Sequence, residues 1–228
     1  MISAVLFDLD GTLADTAPDM ARTVNEMRRR RGLDPVAEAI VRPHVSQGAR
    51  GMIVAAFAIP VEHPEFGAMR EEFLALYEDY LCVETRLFPE MPELLQFLET
   101  RGIAWGVVTN KFERFARPLI ELLGLGDRAG IVVGGDTCAH PKPFPDPLLH
   151  AAQALGVAPE ETLYVGDDER DVQAARAAGM PVLVAGYGYL GEGKPATEWG
   201  ADGIVHSPAG VEAWVGARSR RRALGAAR

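Results

Sequence analysis

Apolar residues in this chain occur in two kinds of run. Short, largely apolar runs rich in strand-forming residues occupy Ala4–Phe7, Ala104–Val108, 131–133, 162–165 and Val182–Ala185, with a weaker one at Gly203–Val205. Longer stretches repeat apolar residues at helical spacing: Met91, Leu94, Leu95 and Leu98; Phe115, Leu119, Leu122 and Leu123; Leu148, Leu149, Ala152 and Leu155. Strand alternating with helix predicts an α/β fold, a parallel sheet covered on both faces. The alternation lapses between Leu13 and about Val83. Met20, Val24 and Met27 mark one helical face there, and Met52, Ala55, Ala56 and Ile59 another. Phe66, Met69, Phe73, Tyr77 and Tyr80 form the clearest stripe. An all-helical insertion over residues 17–86 is therefore expected in a sheet-bearing core of residues 1–16 and 87–228. Ala17-Pro18 and Leu87-Phe88-Pro89 would be the hinges.

Composition narrows the function. The 228 residues are 48% hydrophobic, enough for a full core, and carry a net charge of −9. An acidic chain lacks the basic face of a nucleic-acid binder, so an anionic ligand would need a local positive site. Cys82 and Cys138 lack metal-ligand spacing and read as free thiols. Met1-Ile2-Ser3 runs into the first strand without a basic leader, and no apolar run reaches membrane-helix length. A cytoplasmic, membrane-free monomer or homodimer is expected. The run Arg218-Ser219-Arg220-Arg221-Arg222 reads as a solvated tail.

Ligands of parallel sheets bind beyond the carboxyl ends of the strands, and there the sequence places its chemistry. The first strand ends in Asp8-Leu9-Asp10-Gly11-Thr12. In an extended chain Asp8 and Asp10 share a face and disfavour each other unless something positive lies between them. The next strand runs into Thr109-Asn110, the third leads to Lys142-Pro143, and the fourth ends in Gly166-Asp167-Asp168 with Asp171 following. Each has a plain structural explanation. Thr109-Asn110 suits a turn or cap, Lys142 a surface position, and Asp168 and Asp171 the first turn of a helix. All four following successive strands is less easily explained by turn chemistry.

In this order and spacing the four motifs resemble the haloacid-dehalogenase superfamily. The resemblance implies a Rossmann-like parallel-sheet core with an inserted helical cap. It also implies phosphate-ester hydrolysis through an aspartyl-phosphate. Asp8 would be the nucleophile and Asp10 the general acid and base; an acid at this second position separates the phosphatases from the dehalogenases. Thr109 and the Asn110 backbone would bind phosphoryl oxygens, and Lys142 would neutralise charge. Mg²⁺ would be held by Asp8, the Asp10 carbonyl and Asp167, with Asp168 or Asp171 in support and Asp168 placed in the metal set.

The stretches SQGARGMIVAAFA, RLFPEMPELL, WGVVTNK and GYGYLGEGKPATEWGAD are further similar to phosphoglycolate phosphatases, and more so to a branch acting on N-acetylmuramic acid 6-phosphate. Both substrates are small carboxylated phosphate esters. Selectivity would then lie in the insertion, where Gly48 permits close backbone approach and Arg50 would grip a carboxylate. His44 and His140 have no role in this scheme and read as surface or packing residues. Tyr187, Tyr189 and Trp199 fit either the pocket mouth or packing under a loop. A phosphomutase would share the same core. A phospho-aspartate receiver would share the Asp, Thr, Lys and Mg²⁺ set but not the helical insertion.

Overall fold

The computed structural model describes residues 1–225, with side chains described through Arg218. The first half of the chain forms β1 (Ala4–Phe7), β2 (Ala14–Asp15), α1 (Ala17–Arg30), α2 (Glu38–Val41), α3 (Gly48–Phe57), α4 (Phe66–Asp79) and β3 (Arg86–Leu87). Then come α5 (Met91–Thr100), β4 (Ala104–Val108), α6 (Glu113–Leu122), β5 (Val132–Val133) and α7 (Asp146–Leu155). The chain continues through β6 (Thr162–Gly166), α8 (Glu169–Ala177), β7 (Val182–Ala185), β8 (Gly203–Val205) and α9 (Pro208–Gly225). Pro18, Pro92 and Pro147 sit in the first turns of α1, α5 and α7, where a missing N–H breaks no helical bond.

Six strands make one sheet in the order β5-β4-β1-β6-β7-β8, with every pairing parallel. All four residues of β1 are buried, as a central strand covered on both faces requires. Its side chains alternate: Val5 and Phe7 join one apolar cluster, and Leu6 joins the other. The first cluster continues without a break into the insertion through Met20, Val24, Met52, Phe73 and Tyr77. Phe7 is level with Val107 of β4 and Val165 of β6. The residues that follow these three strands therefore emerge at one rim.

Helices α1–α4 lie between β2 and β3, which pair antiparallel through Ala14↔Leu87 and Asp15↔Arg86. Both chain crossings thus run side by side. Inside α1, buried Asp19 accepts backbone N–H bonds from Val83, Glu84 and Thr85 at 2.8–3.0 Å and a 2.8 Å bond from the Thr85 hydroxyl. It ties the start of the helical region to its end.

Several sequence expectations shift. The third strand covers only Val132–Val133. Leu122 and Leu149 face solvent, at 64% and 39% exposure, instead of completing their buried stripes. Leu122 lies in the last turn of α6, and Leu149 is one residue, about 100° of helix, away from buried Leu148. The basic run expected as a tail continues α9, with Arg218 over the Trp214 ring; its side chains from Ser219 onward lie outside the described residues.

Candidate active site

The rim beyond β1, β4 and β6 gathers the predicted side chains. Asp8, Asp167 and Asp171 are all buried, and each offers a carboxylate oxygen within 4.8 Å of the others. Glycines allow this crowding. Gly11 has a φ of +86°, and a Cβ there would collide with the Asp167 carboxylate; one on Gly166 would collide with Asp171.

Lys142 supplies the local positive charge. Its Nζ lies 2.9 Å from Asp8 Oδ1 and 2.7 Å from Asp171 Oδ1, and donates to the Val108 carbonyl and the Tyr164 hydroxyl. The Asn110 side chain fixes the Lys142 backbone from both directions. Its amide donates to the Lys142 carbonyl at 2.9 Å, and its oxygen accepts the Lys142 N–H at 3.0 Å. Asn110 is thus a brace for Lys142, a side-chain task that the sequence did not suggest. Thr109 is buried, and its hydroxyl accepts the Lys111 N–H at 3.1 Å.

Electrostatics follow from this packing. Burial pushes Asp8 up to about 7; the Lys142 charge opposes that rise, and Asp171 and Asp10 add to it. Burial, then the Asp8 and Asp171 charges, raise Asp167 well above the carboxylate range. Two bonds partly offset this, from the Tyr189 N–H and the Thr12 hydroxyl, each at 2.9 Å; the Ser46 hydroxyl also donates to Asp167, at 3.3 Å. Burial alone would lower Lys142, but Asp171 and Asp8 outweigh it and hold it above the usual lysine value.

Asp168 stands apart from this cluster, contrary to its expected place in the metal set. It is the N-cap of α8: its Oδ1 accepts the Arg170 N–H at 2.9 Å, and its carboxylate pairs with the Arg170 guanidinium. Asp171 turns inward instead. Burial would raise the Asp168 carboxyl, but Arg170 holds it below its ordinary value. Arg170 also donates to the Ser46 carbonyl at 2.7 Å, joining α8 to the inserted helices.

Asp10 points the other way. Its Oδ1 accepts the Thr16 hydroxyl at 2.6 Å and lies 2.9 Å from Lys111 Nζ. The Lys111 side chain is only 7% exposed and sits over the Tyr77 ring, 4.8 Å from its centroid. Sequence reasoning missed Lys111, since a lysine just after a strand reads as solvated. The signal available was its place two residues beyond Thr109.

A cavity of about 360 Å³ opens between the rim and the inserted helices. Asp8, Asp10, Thr109, Asn110, Lys142, Asp168, Gly48 and Arg50 all line it. Gly48 has a φ of +62°, and Arg50 is exposed. His44 and His140 are not among the lining residues; they lie by Glu192 and Asp146. Tyr187, Tyr189 and Trp199 bond to the Thr12 carbonyl, to Asp15 and to the Lys194 carbonyl, a packing role outside the cavity. Cys82 and Cys138 are free. No helix among the described residues is long and apolar enough to cross a membrane.

A sequence profile of haloacid dehalogenase-like hydrolases matches residues 2–179. The chain is 44% identical to an N-acetylmuramic acid 6-phosphate phosphatase of Pseudomonas aeruginosa, over 91% of this chain and 92% of that one. It is 49% identical to a phosphoglycolate phosphatase of Xanthomonas campestris pv. campestris, over 90% and 92% respectively. Among solved structures, a predicted phosphoglycolate phosphatase from Haemophilus somnus superposes with a TM-score of 0.82 at 28% identity, covering 94% of this chain and 98% of that one.

Proposed function

Because the chain belongs to the haloacid dehalogenase-like hydrolases, we propose that it hydrolyses a small carboxylated phosphate monoester through a covalent phosphate on Asp8. The observation that carries this reading is the pairing of buried Asp8 with buried Lys142 at the floor of a cavity that also holds Asp10. The candidate substrates are those of the two phosphatases it resembles, 2-phosphoglycolate and N-acetylmuramic acid 6-phosphate.

The acidic cluster suits a hard divalent cation. Its side-chain donors are all oxygens, and two of its carboxylates are held above their ordinary range by burial and mutual repulsion, which a cation would relieve. Asp8, Asp167 and the Asp10 backbone carbonyl would hold Mg²⁺. Asp171 would orient Lys142, since its oxygens are already engaged by Lys142, Tyr164 and the Asp168 N–H. When bound, Mg²⁺ supplies charge neutralisation to the phosphate.

The remaining chemistry falls to side chains. Asp8 attacks phosphorus in line, and the ester oxygen leaves with a proton from Asp10. Asp10 then takes a proton from the water that releases phosphate from Asp8. Lys142 and Thr109 offset charge on the transferring group. Helices α1–α4, docked by the Arg170–Ser46 bond, act as a cap that limits bulk water and selects the leaving group. The test is phosphate release with Mg²⁺ from a panel of phosphate esters. Release from both or either carboxylated candidate supports the reading; transfer of the phosphate within the substrate, with no inorganic phosphate, would replace it with a mutase.

A further inference from the structure

The cavity holds two lysines with buried side chains, and they pair with different carboxylates. Lys142 is paired with Asp8, on the side where phosphate would be received. Lys111 is paired with Asp10, on the side where the alcohol would depart. A second cation beside the leaving group is not explained by phosphate binding.

Tyr77, on α4, adds to this. It lines the cavity, is 2% exposed, and carries the one buried side-chain polar atom among the described residues with no well-formed hydrogen bond: the Lys111 ammonium is near enough to donate to it, but it meets no acceptor. Buried hydroxyls nearly always find a partner for their proton, so such an atom calls for an explanation. Its ring cannot readily turn away. Phe73 stacks on it at a centroid distance of 5.9 Å, and Phe115 meets it edge-on at 5.6 Å. The Lys111 ammonium lies over the same ring. Around this pair Met20, Phe73, Leu74, Phe112 and Phe115 form a mostly apolar wall, with Arg70 lining the same cavity beside Phe112.

An ammonium offers only donors, and a phenol hydroxyl with no other partner is free to donate. Two such groups suit a ligand that only accepts, and on the proposed substrates the acceptor-only anion besides the phosphate is the carboxylate. We infer that Lys111 and the Tyr77 hydroxyl form the subsite that receives the substrate's carboxylate, on the leaving-group side of Asp10. This deepens the phosphatase reading and rests on it. It also moves carboxylate recognition from exposed Arg50 at the cavity mouth to a buried pair within.

The experiment compares matched esters. One pair is 2-phosphoglycolate and 2-hydroxyethyl phosphate; the other is N-acetylmuramic acid 6-phosphate and N-acetylglucosamine 6-phosphate, which lacks the lactyl carboxylate. The quantity read is the ratio of kcat/KM within each pair, so a general loss of turnover cancels. Wild type should prefer the carboxylated member of at least one pair. Tyr77→Phe and Lys111→Gln should each shrink that preference roughly tenfold or more. An unchanged preference in both variants, or no preference in wild type, overturns the inference. So does a preference that collapses in Arg50→Ala and survives in the other two. Turnover of p-nitrophenyl phosphate by wild type with Mg²⁺ separates the two levels. If it is present, such a failure concerns the subsite alone; if wild type is inactive on every ester, the phosphatase reading falls and takes the subsite with it.

Discussion

Asp8 and Asp10 are two residues apart, yet their carboxylates face different partners, Lys142 and Asp171 for one and Thr16 and Lys111 for the other. That separation permits different tasks. If Asp10 protonates the leaving oxygen, Asp10→Asn should slow esters of poor leaving groups by roughly a hundredfold or more, and p-nitrophenyl phosphate less in the first half-reaction. Burst kinetics over a series of leaving groups would check this, and equal slowing across the series would count against the role. That Asp8, Asp10, Thr109, Lys142 and Asp167 would gather at one rim was legible in the sequence, because the four aspartate and threonine positions closely follow apolar runs, Lys142 lies in the stretch after another, and strand ends are where parallel sheets bind ligands. Asp168 was misplaced for a local reason: adjacent acids at a helix start look alike, and only the capping geometry sends Asp168 to Arg170 and Asp171 inward. The burial of Lys111 was not legible, even though its place two residues beyond Thr109 was, because that burial depends on Tyr77, which stands 34 positions earlier in the chain.

Among elements, the paired strands β2 and β3 and the loop held by Asp19 define how the helical insertion joins the sheet. Two-residue strands are too short to show alternation, so the sequence revealed the insertion but not this connection. Asp19 likewise reads as an ordinary first-turn acid, since its partners lie 64–66 residues away. Asp19→Asn removes one acceptor oxygen from a buried group that accepts three backbone N–H bonds and a hydroxyl. It should cost about 2–3 kcal/mol of stability. Denaturant unfolding would measure this, and a change within about 0.5 kcal/mol, the usual range for surface substitutions, would show that the loop is held by other contacts.

Across the whole molecule, an acidic chain concentrates buried carboxylates at one rim, with their repulsion balanced by Lys142 and, in the proposed mechanism, by a cation. Without a metal, Asp8 is raised from 3.8 to about 7. The folded state therefore holds a proton that the unfolded state has lost between about pH 4 and 7, so this group lowers stability as pH rises through that window. Mg²⁺ binding must displace that proton below pH 7. Its affinity should weaken by roughly tenfold or more per pH unit from 7 to 5, with proton release, the raised Asp167 adding to the dependence set by Asp8. Calorimetry in buffers of differing ionisation enthalpy reads both quantities. Affinity independent of pH would mean that the metal does not engage Asp8.

In the proposed reaction Asp8 carries the phosphate between the two half-reactions. Acid-quenched enzyme, mixed with p-nitrophenyl phosphate and Mg²⁺ and mapped by peptide mass spectrometry, measures this directly. Phosphate should appear on the peptide containing Asp8 at early times, and be missing from Asp8→Asn, which should turn over at least roughly a thousandfold more slowly. Full turnover by Asp8→Asn, or phosphate found only on another residue, would contradict the account.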